Sequence, residues 1–198
     1  MAFIAAETTS FTPVEQGDYI ARCVGVWFLG LQINNLEPTK PPKPRIALEF
    51  ELSDEVMDNG SLRKLYSEFS LSLHKQSALR PFLETWRGKP FDAGALATFD
   101  VSKLLWVGAK IIVVHKPKVS GGVRAVIQTA FPIKDKSKLP PAMSPLLLFD
   151  ADNPDPAVLA QLPPFVQTRI AQAVKPATAK PATAAPVVPD FDDDIPDF

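Results

Sequence analysis

One cysteine, Cys23, is all the chain contains. No internal disulfide can staple the fold, and a lone thiol within an apolar run reads as buried and reduced, the habit of a cytosolic protein. Histidine is almost as scarce. His74 and His115 are far apart, and neither has a cysteine or carboxylate at metal-ligand spacing. Cys23 sits in no nucleophile signature, and Gly121-Gly122 lacks the Lys-Ser/Thr and the helix start of a phosphate loop. These absences argue against an enzyme, and no cofactor or metal is expected. No apolar run is long enough to span a membrane. The opening Met1-Ala-Phe-Ile-Ala-Ala lacks the positive and long apolar regions of a secretion signal, so a soluble cytoplasmic protein is expected. No repeat of domain size is visible.

Proline, by contrast, is abundant: 21 residues, grouped at 38–44, at 140–164 and after position 174. Proline removes the N–H that a sheet or helix interior uses, so these groups mark segments outside the regular elements. The net charge of −1 hides an asymmetry. Residues 10–140 carry 18 Lys and Arg against 13 Asp and Glu, whereas 175–198 carry two Lys against five Asp. A basic body with an acidic tail suits a protein whose body meets phosphates and whose tail meets something else.

Along the body the hydrophobic period is mostly two. Residues 18–31 are a strand rich in Val, Ile, Trp and Phe, and 34–44 form a proline-rich connection. In 45–52, Ile46, Leu48, Phe50 and Leu52 share one face while Arg45, Glu49 and Glu51 share the other, predicting a strand with one face on a core and one on water or a ligand. Asp58-Asn59-Gly60 is a turn, and 65–73 alternates again with Tyr66 outward. The period then changes. Leu79, Phe82, Leu83 and Trp86 predict a helix over 77–87, with Ser77 as N-cap and Gly88 as terminator. Two further strands, 109–116 and 123–133, are joined across Ser120-Gly121-Gly122. The expected class is all-β with one or two helices, and the order suggests an OB-fold, a five-stranded Greek-key barrel; a generic antiparallel α+β sheet is the alternative. Residues 1–139 form this domain. Residues 140–174 are an extension packed on it, with an edge strand at 146–149 and a short helix at 165–174. Residues 175–198 are low in complexity until the tip and are expected to be a disordered linker.

The chain ends Asp190, Phe191, Asp192, Asp193, Asp194, Ile195, Pro196, Asp197, Phe198. This resembles the acidic tip of bacterial single-stranded DNA-binding proteins, Asp-Phe-Asp-Asp-Asp-Ile-Pro-Phe. Seven consecutive residues match, and Asp197 is an insertion before the terminal Phe198. The resemblance implies that Phe198 and its carboxylate enter a pocket with a basic rim on replication or repair proteins, with Asp190 to Pro196 as flanking contacts. An apolar anchor among steering carboxylates is sound physics for such docking. A second resemblance covers roughly 18–132. The block LSLHKQSALRPFLETWRGKPF at 71–91, Tyr19-Ile-Ala-Arg-Cys23 and the Val113-Val-His115 strand are similar to phage-encoded single-stranded DNA-binding proteins. That implies an OB-fold binding DNA with little sequence preference, in a host cytoplasm. Read without the family, the 71–91 block is a strand delivering a helix ringed by Lys75, Arg80, Arg87 and Lys89, or simply a solvated helix capping a barrel.

Binding single strands takes aromatic faces for bases and cations for phosphates. The candidates are Arg22, Trp27, Arg45, Tyr66, Lys75, Arg80, Arg87, Lys110, Lys116, Lys118 and Arg124. Arg45, Tyr66 and Arg124 lie on polar faces of alternating strands. Lys110 and Lys116 share strand parity, and Lys118 approaches the Gly-Gly turn. Trp27 lies in a strand apolar on both parities, whereas Trp86 and Trp106 are expected in the core. The expected function is single-stranded DNA binding in replication, recombination or repair, with partners recruited by the tail and oligomers compatible with the reading. The alternatives are an interaction protein that mimics a host tip and a strand-annealing recombination factor.

Overall fold

The longest apolar run becomes the longest strand. In the computed structural model, which describes residues 12–34, 37–119, 121–135 and 139–174, β1 (Gly17–Gln32) lies at the centre of a mostly antiparallel six-stranded sheet. It is followed by β2 (Lys43–Val56), β3 (Leu62–Ser70), helix α1 (Leu79–Arg87), a short α2 (Ala93–Thr98), a 3-10 turn (Val101–Leu104), β4 (Gly108–Pro117) and β5 (Val123–Phe131). The hydrogen-bonded order is β3-β2-β1-β4-β5. With a helix between β3 and β4, this is the order of a five-stranded Greek-key barrel of OB type. The barrel is left open, because among the described residues no ladder joins β3 to β5, although the two edges approach each other.

The main core fills the inner face. Ile46, Leu48, Phe50 and Leu52 of β2 meet Ala21, Cys23 and Val26 of β1 and Ile111 and Val113 of β4. Helix α1 closes this core with Leu79, Phe82, Leu83 and Trp86, the four residues whose spacing announces it. It ends at Gly88, whose φ of 69° is a left-handed conformation suited to glycine. Ser77 lies one residue before the cap position, but its hydroxyl still accepts the Leu79 N–H at 3.2 Å. Cys23 is fully buried, and burial pushes its thiol pKa well up, so it stays a protonated packing group.

The outer face departs from expectation. The register of β1 on β2 skips between Cys23 and Gly25, a bulge that flips the strand's parity. Residues 21, 23 and 26 therefore face the main core, whereas Trp27 and Leu29 face the other side. There they meet a second core supplied by the C-terminal segment: strand β6 (Leu147–Asp150), helix α3 (Pro156–Leu159) and helix α4 (Pro164–Ala171). Trp27, Leu29 and Ala47 are buried under Leu147, Phe149, Leu162 and Val166. β6 runs parallel to β1, pairing Leu147–Asp150 with residues 25–28, beyond the stretch 17–22 of β1 that β4 occupies. The apolar character of both parities of β1 thus reflects burial on both faces.

The polar face of β2 is not in water either. Glu49 and Glu51 are buried, Glu51 to 2% exposure. Its two carboxylate oxygens accept the N–H groups of Met143 and Ser144, each at 2.8 Å. Opposite Glu51 in the register stands Arg22, whose guanidinium donates to the carbonyls of Pro140 (2.8 Å) and Trp106 (3.0 Å). Two facing charged residues thus hold the start of the C-terminal segment by its backbone. No helix among the described residues is long and apolar enough to cross a membrane.

Candidate nucleic-acid interface

Helix α4 starts on Pro163-Pro164, where a fixed φ favours a first turn and the missing N–H is not needed. Phe165 and Arg169 are four residues apart and so share one face, while Val166 points into the second core. The Phe165 ring lies 4.7 Å from the ring of Tyr66 on β3, tilted by 32°. Both are half exposed, at 49% and 46%. Beside them Arg169 donates to Oε1 of Glu68 at 3.1 Å, and Nε of Arg45 donates to the same oxygen at 2.8 Å. Arg45 also donates to the Ser70 hydroxyl. Burial raises the Glu68 pKa, but the hydrogen bonds from Arg169 and Arg45 outweigh it and hold the carboxyl below its usual range. The Tyr66 phenol is pushed up by burial and by Glu68, while the charges of Arg124 and Arg169 pull it down.

Two hollows meet at Arg169. One, of about 350 Å3, is walled by Leu29, Ala47, Tyr66, Glu68 and Phe165. The other, of about 290 Å3, opens beside the β1–β2 connection and is lined by Lys40, Lys43, Arg45, Asn34 and Ser70. Beyond Tyr66 and Arg124 stands the β4–β5 hairpin. Lys116 and Arg124 are directly opposite each other there, like charges that cost about 0.2–1 kcal/mol in water. Lys118 follows, Val119 is wholly exposed, and Gly121 and Gly122 take positive φ to close the turn. The start of β2, the outer side of β3 and helix α4 therefore carry a track of lysines, an arginine pair and an aromatic pair, with the basic β4–β5 hairpin across the open β3–β5 edge. Such a surface can stack bases and neutralise a phosphate backbone.

Of the residues singled out in the sequence, Arg45, Tyr66, Lys116, Lys118 and Arg124 lie on this track. Others do not. Trp27 is fully buried under the C-terminal segment and offers no ring face to a base; its indole folds back over Gly25, and its N–H has no protein acceptor. Arg22 is buried and spent on two carbonyls, with its guanidinium 3.8 Å from the Trp106 ring centroid. Trp106 itself is half-buried with φ of 77°, a lid over Arg22 and not a core ring. Arg80 is paired with Glu84 at 2.9 Å, and Arg87 stacks on Phe91 at 4.1 Å. Lys75 is exposed near α1, which packs on the sheet face opposite α4. Lys110 is exposed but paired with Asp18 at 2.5 Å. Residues Asp190 to Phe198 lie outside the described residues. Phe165, Arg169, Lys40, Lys43 and Glu68 are the members that sequence reasoning missed. The i, i+4 spacing of Phe165 and Arg169 after a Pro-Pro start is the signal that would have found two of them.

No group of three or more metal-ligating side chains is gathered among the described residues. No protein-family model matches the chain, and no curated protein matches it.

Proposed function

We propose that this protein binds single-stranded DNA along the outer track, with little preference for sequence, and acts in replication, recombination or repair. The observation that carries the reading is the Tyr66–Phe165 ring pair, half open to solvent and set beside Arg45 and Arg169. Aromatic faces accept any base, and cations beside them accept the backbone, so the pairing favours single strands over duplex. The track runs from the β1–β2 connection over the start of β2 and the outer side of β3 toward the β4–β5 hairpin, the region that OB-type barrels use for oligonucleotides. In this reading the protein has no catalytic role. The acidic tip from Asp190 to Phe198 recruits replication or repair proteins, and the site of action is the cytoplasm, a host's if the gene is carried by a phage.

The test is a fluorescence-anisotropy titration with oligo-dT, duplex DNA and RNA at several salt concentrations. Oligo-dT is expected to bind best, with log affinity falling by roughly 0.7 per unit of log salt for each phosphate neutralised. Absence of binding at low salt, or a preference for duplex, would overturn the proposal.

A further inference from the structure

Resting on that reading, we infer that Glu68 is a built-in counter-anion that holds Arg45 and Arg169 and yields them to the phosphates of an incoming strand. The geometry is specific. One oxygen of one carboxylate receives Arg45 of β2 at 2.8 Å and Arg169 of α4 at 3.1 Å. All three side chains are only partly exposed, at 21–29%, so the carboxylate and both guanidinium groups stay reachable from solvent. Both hollows reach this cluster, one through Glu68 and Arg169 and the other through Arg45 and Arg169. A planar guanidinium presents a fork of donors that fits carboxylate and phosphate alike. Glu68 therefore occupies the position on these two arginines that a backbone phosphate between the Lys40–Lys43 hollow and the Tyr66–Phe165 rings would take.

The exchange has consequences for binding. A strand gains two arginine contacts but must release a carboxylate that already satisfies them, so the free protein resists casual polyanions. The released carboxylate is not repelled into a core, since its neighbours Tyr66 and Ser70 border open groove. Without an internal competitor the same arginines would hold anions more tightly and less selectively. The acid also joins barrel and extension, because Arg45 belongs to one and Arg169 to the other.

The experiment compares full-length wild type with Glu68→Gln, which keeps the shape and one acceptor while removing the charge. Asp54→Asn, at the far end of β2 and exposed, is the control for an equal change in net charge. Oligo-dT affinity is read by anisotropy across salt, and thermal shifts are read with added pyrophosphate. Glu68→Gln is expected to bind oligo-dT about three- to tenfold more tightly at low salt, with a slope steeper by roughly 0.7–1.4, one to two phosphates. Pyrophosphate should raise its melting temperature more than that of wild type. Asp54→Asn should behave as wild type. Equal gains in both variants, or an unchanged or weaker Glu68→Gln whose circular dichroism is native, overturn the counter-anion role while leaving the DNA reading intact. If Glu68→Gln loosens α4, the pyrophosphate shift still decides: no added stabilisation over wild type overturns the role. No oligo-dT binding by any of the three proteins overturns the DNA reading and this inference together.

Discussion

Glu51→Ala removes the anchor that ties the C-terminal segment to the sheet, and its effect can be worked from two hydrogen bonds. The carboxylate accepts the Met143 and Ser144 amides at 2.8 Å each, at 2% exposure. Hydrogen bonds to a charged group contribute about 1.5–3 kcal/mol apiece, which puts the loss for the pair at about 3–6 kcal/mol before water reaches the freed amides. Arg22 then also loses the anion that faces it across the strands. Glu51→Gln keeps one acceptor oxygen and should lose about half as much. Urea unfolding followed by circular dichroism gives the free energies, and amide hydrogen exchange at Met143 and Ser144 gives the site. Both variants should lose protection at these two amides before the β1–β2 ladder does, because the segment detaches from one end. If both variants stay within about 0.5 kcal/mol of wild type, the range of an ordinary surface change, with the amides still protected, the latch is refuted.

Tyr66→Ala and Phe165→Ala should each weaken oligo-dT binding by about 1–3 kcal/mol if a base stacks on the pair; an unaltered anisotropy curve for both would remove the rings from the site. Glu68, held below the ordinary range, contributes stability above the unfolded carboxyl pKa that is lost as pH falls through its folded value. Acid titration monitored by hydrogen exchange should therefore release α4 only as pH falls below the ordinary carboxyl range, and Glu68→Gln should flatten that step. Glu49 has the opposite sign: burial raises its pKa against the nearby Lys64, so its contribution is present at low pH and lost as pH rises through the folded value. Glu49→Gln should be more stable than wild type at neutral pH, with the gain shrinking below about pH 4, the unfolded range of Glu. Ending the chain at Val174 should leave folding and DNA affinity intact and abolish capture of replication or repair proteins, and loss of DNA binding in that truncation would contradict the assigned division of labour.

What the sequence made legible follows from local physics. Alternation located five strands, the i, i+3, i+4 pattern of Leu79, Phe82, Leu83 and Trp86 located α1, and Gly121-Gly122 located the hairpin. The apolar stretch 146–149 announces an edge strand, and β6 forms there. The outer face of β2 was misread for a physical reason. Glu49 and Glu51 look solvated in an alternating pattern, and nothing local says that a carboxylate's donors are the amides of residues 143 and 144. Trp27 was ambiguous because a bulge two residues upstream exchanges the faces, and bulges leave little trace in composition. On the candidate site, Tyr66, Arg45 and Arg124 were legible from parity alone. Phe165 and Arg169 were not, since their role depends on where a proline-rich segment lands.

The parallel pairing of β6 with β1 has a consequence for synthesis on the ribosome. Residues 25–28 of β1 emerge early, whereas their partners at 147–150 follow about 120 residues later. At a typical elongation rate of about 5–20 residues per second, that edge waits roughly 6–24 s for its neighbour. Throughout that interval it presents unpaired amides and carbonyls beside Trp27 and Phe28, a template for pairing with another nascent chain. Chains interrupted before residue 147 should therefore aggregate or be held by chaperones, even though the five antiparallel strands of the barrel are already complete.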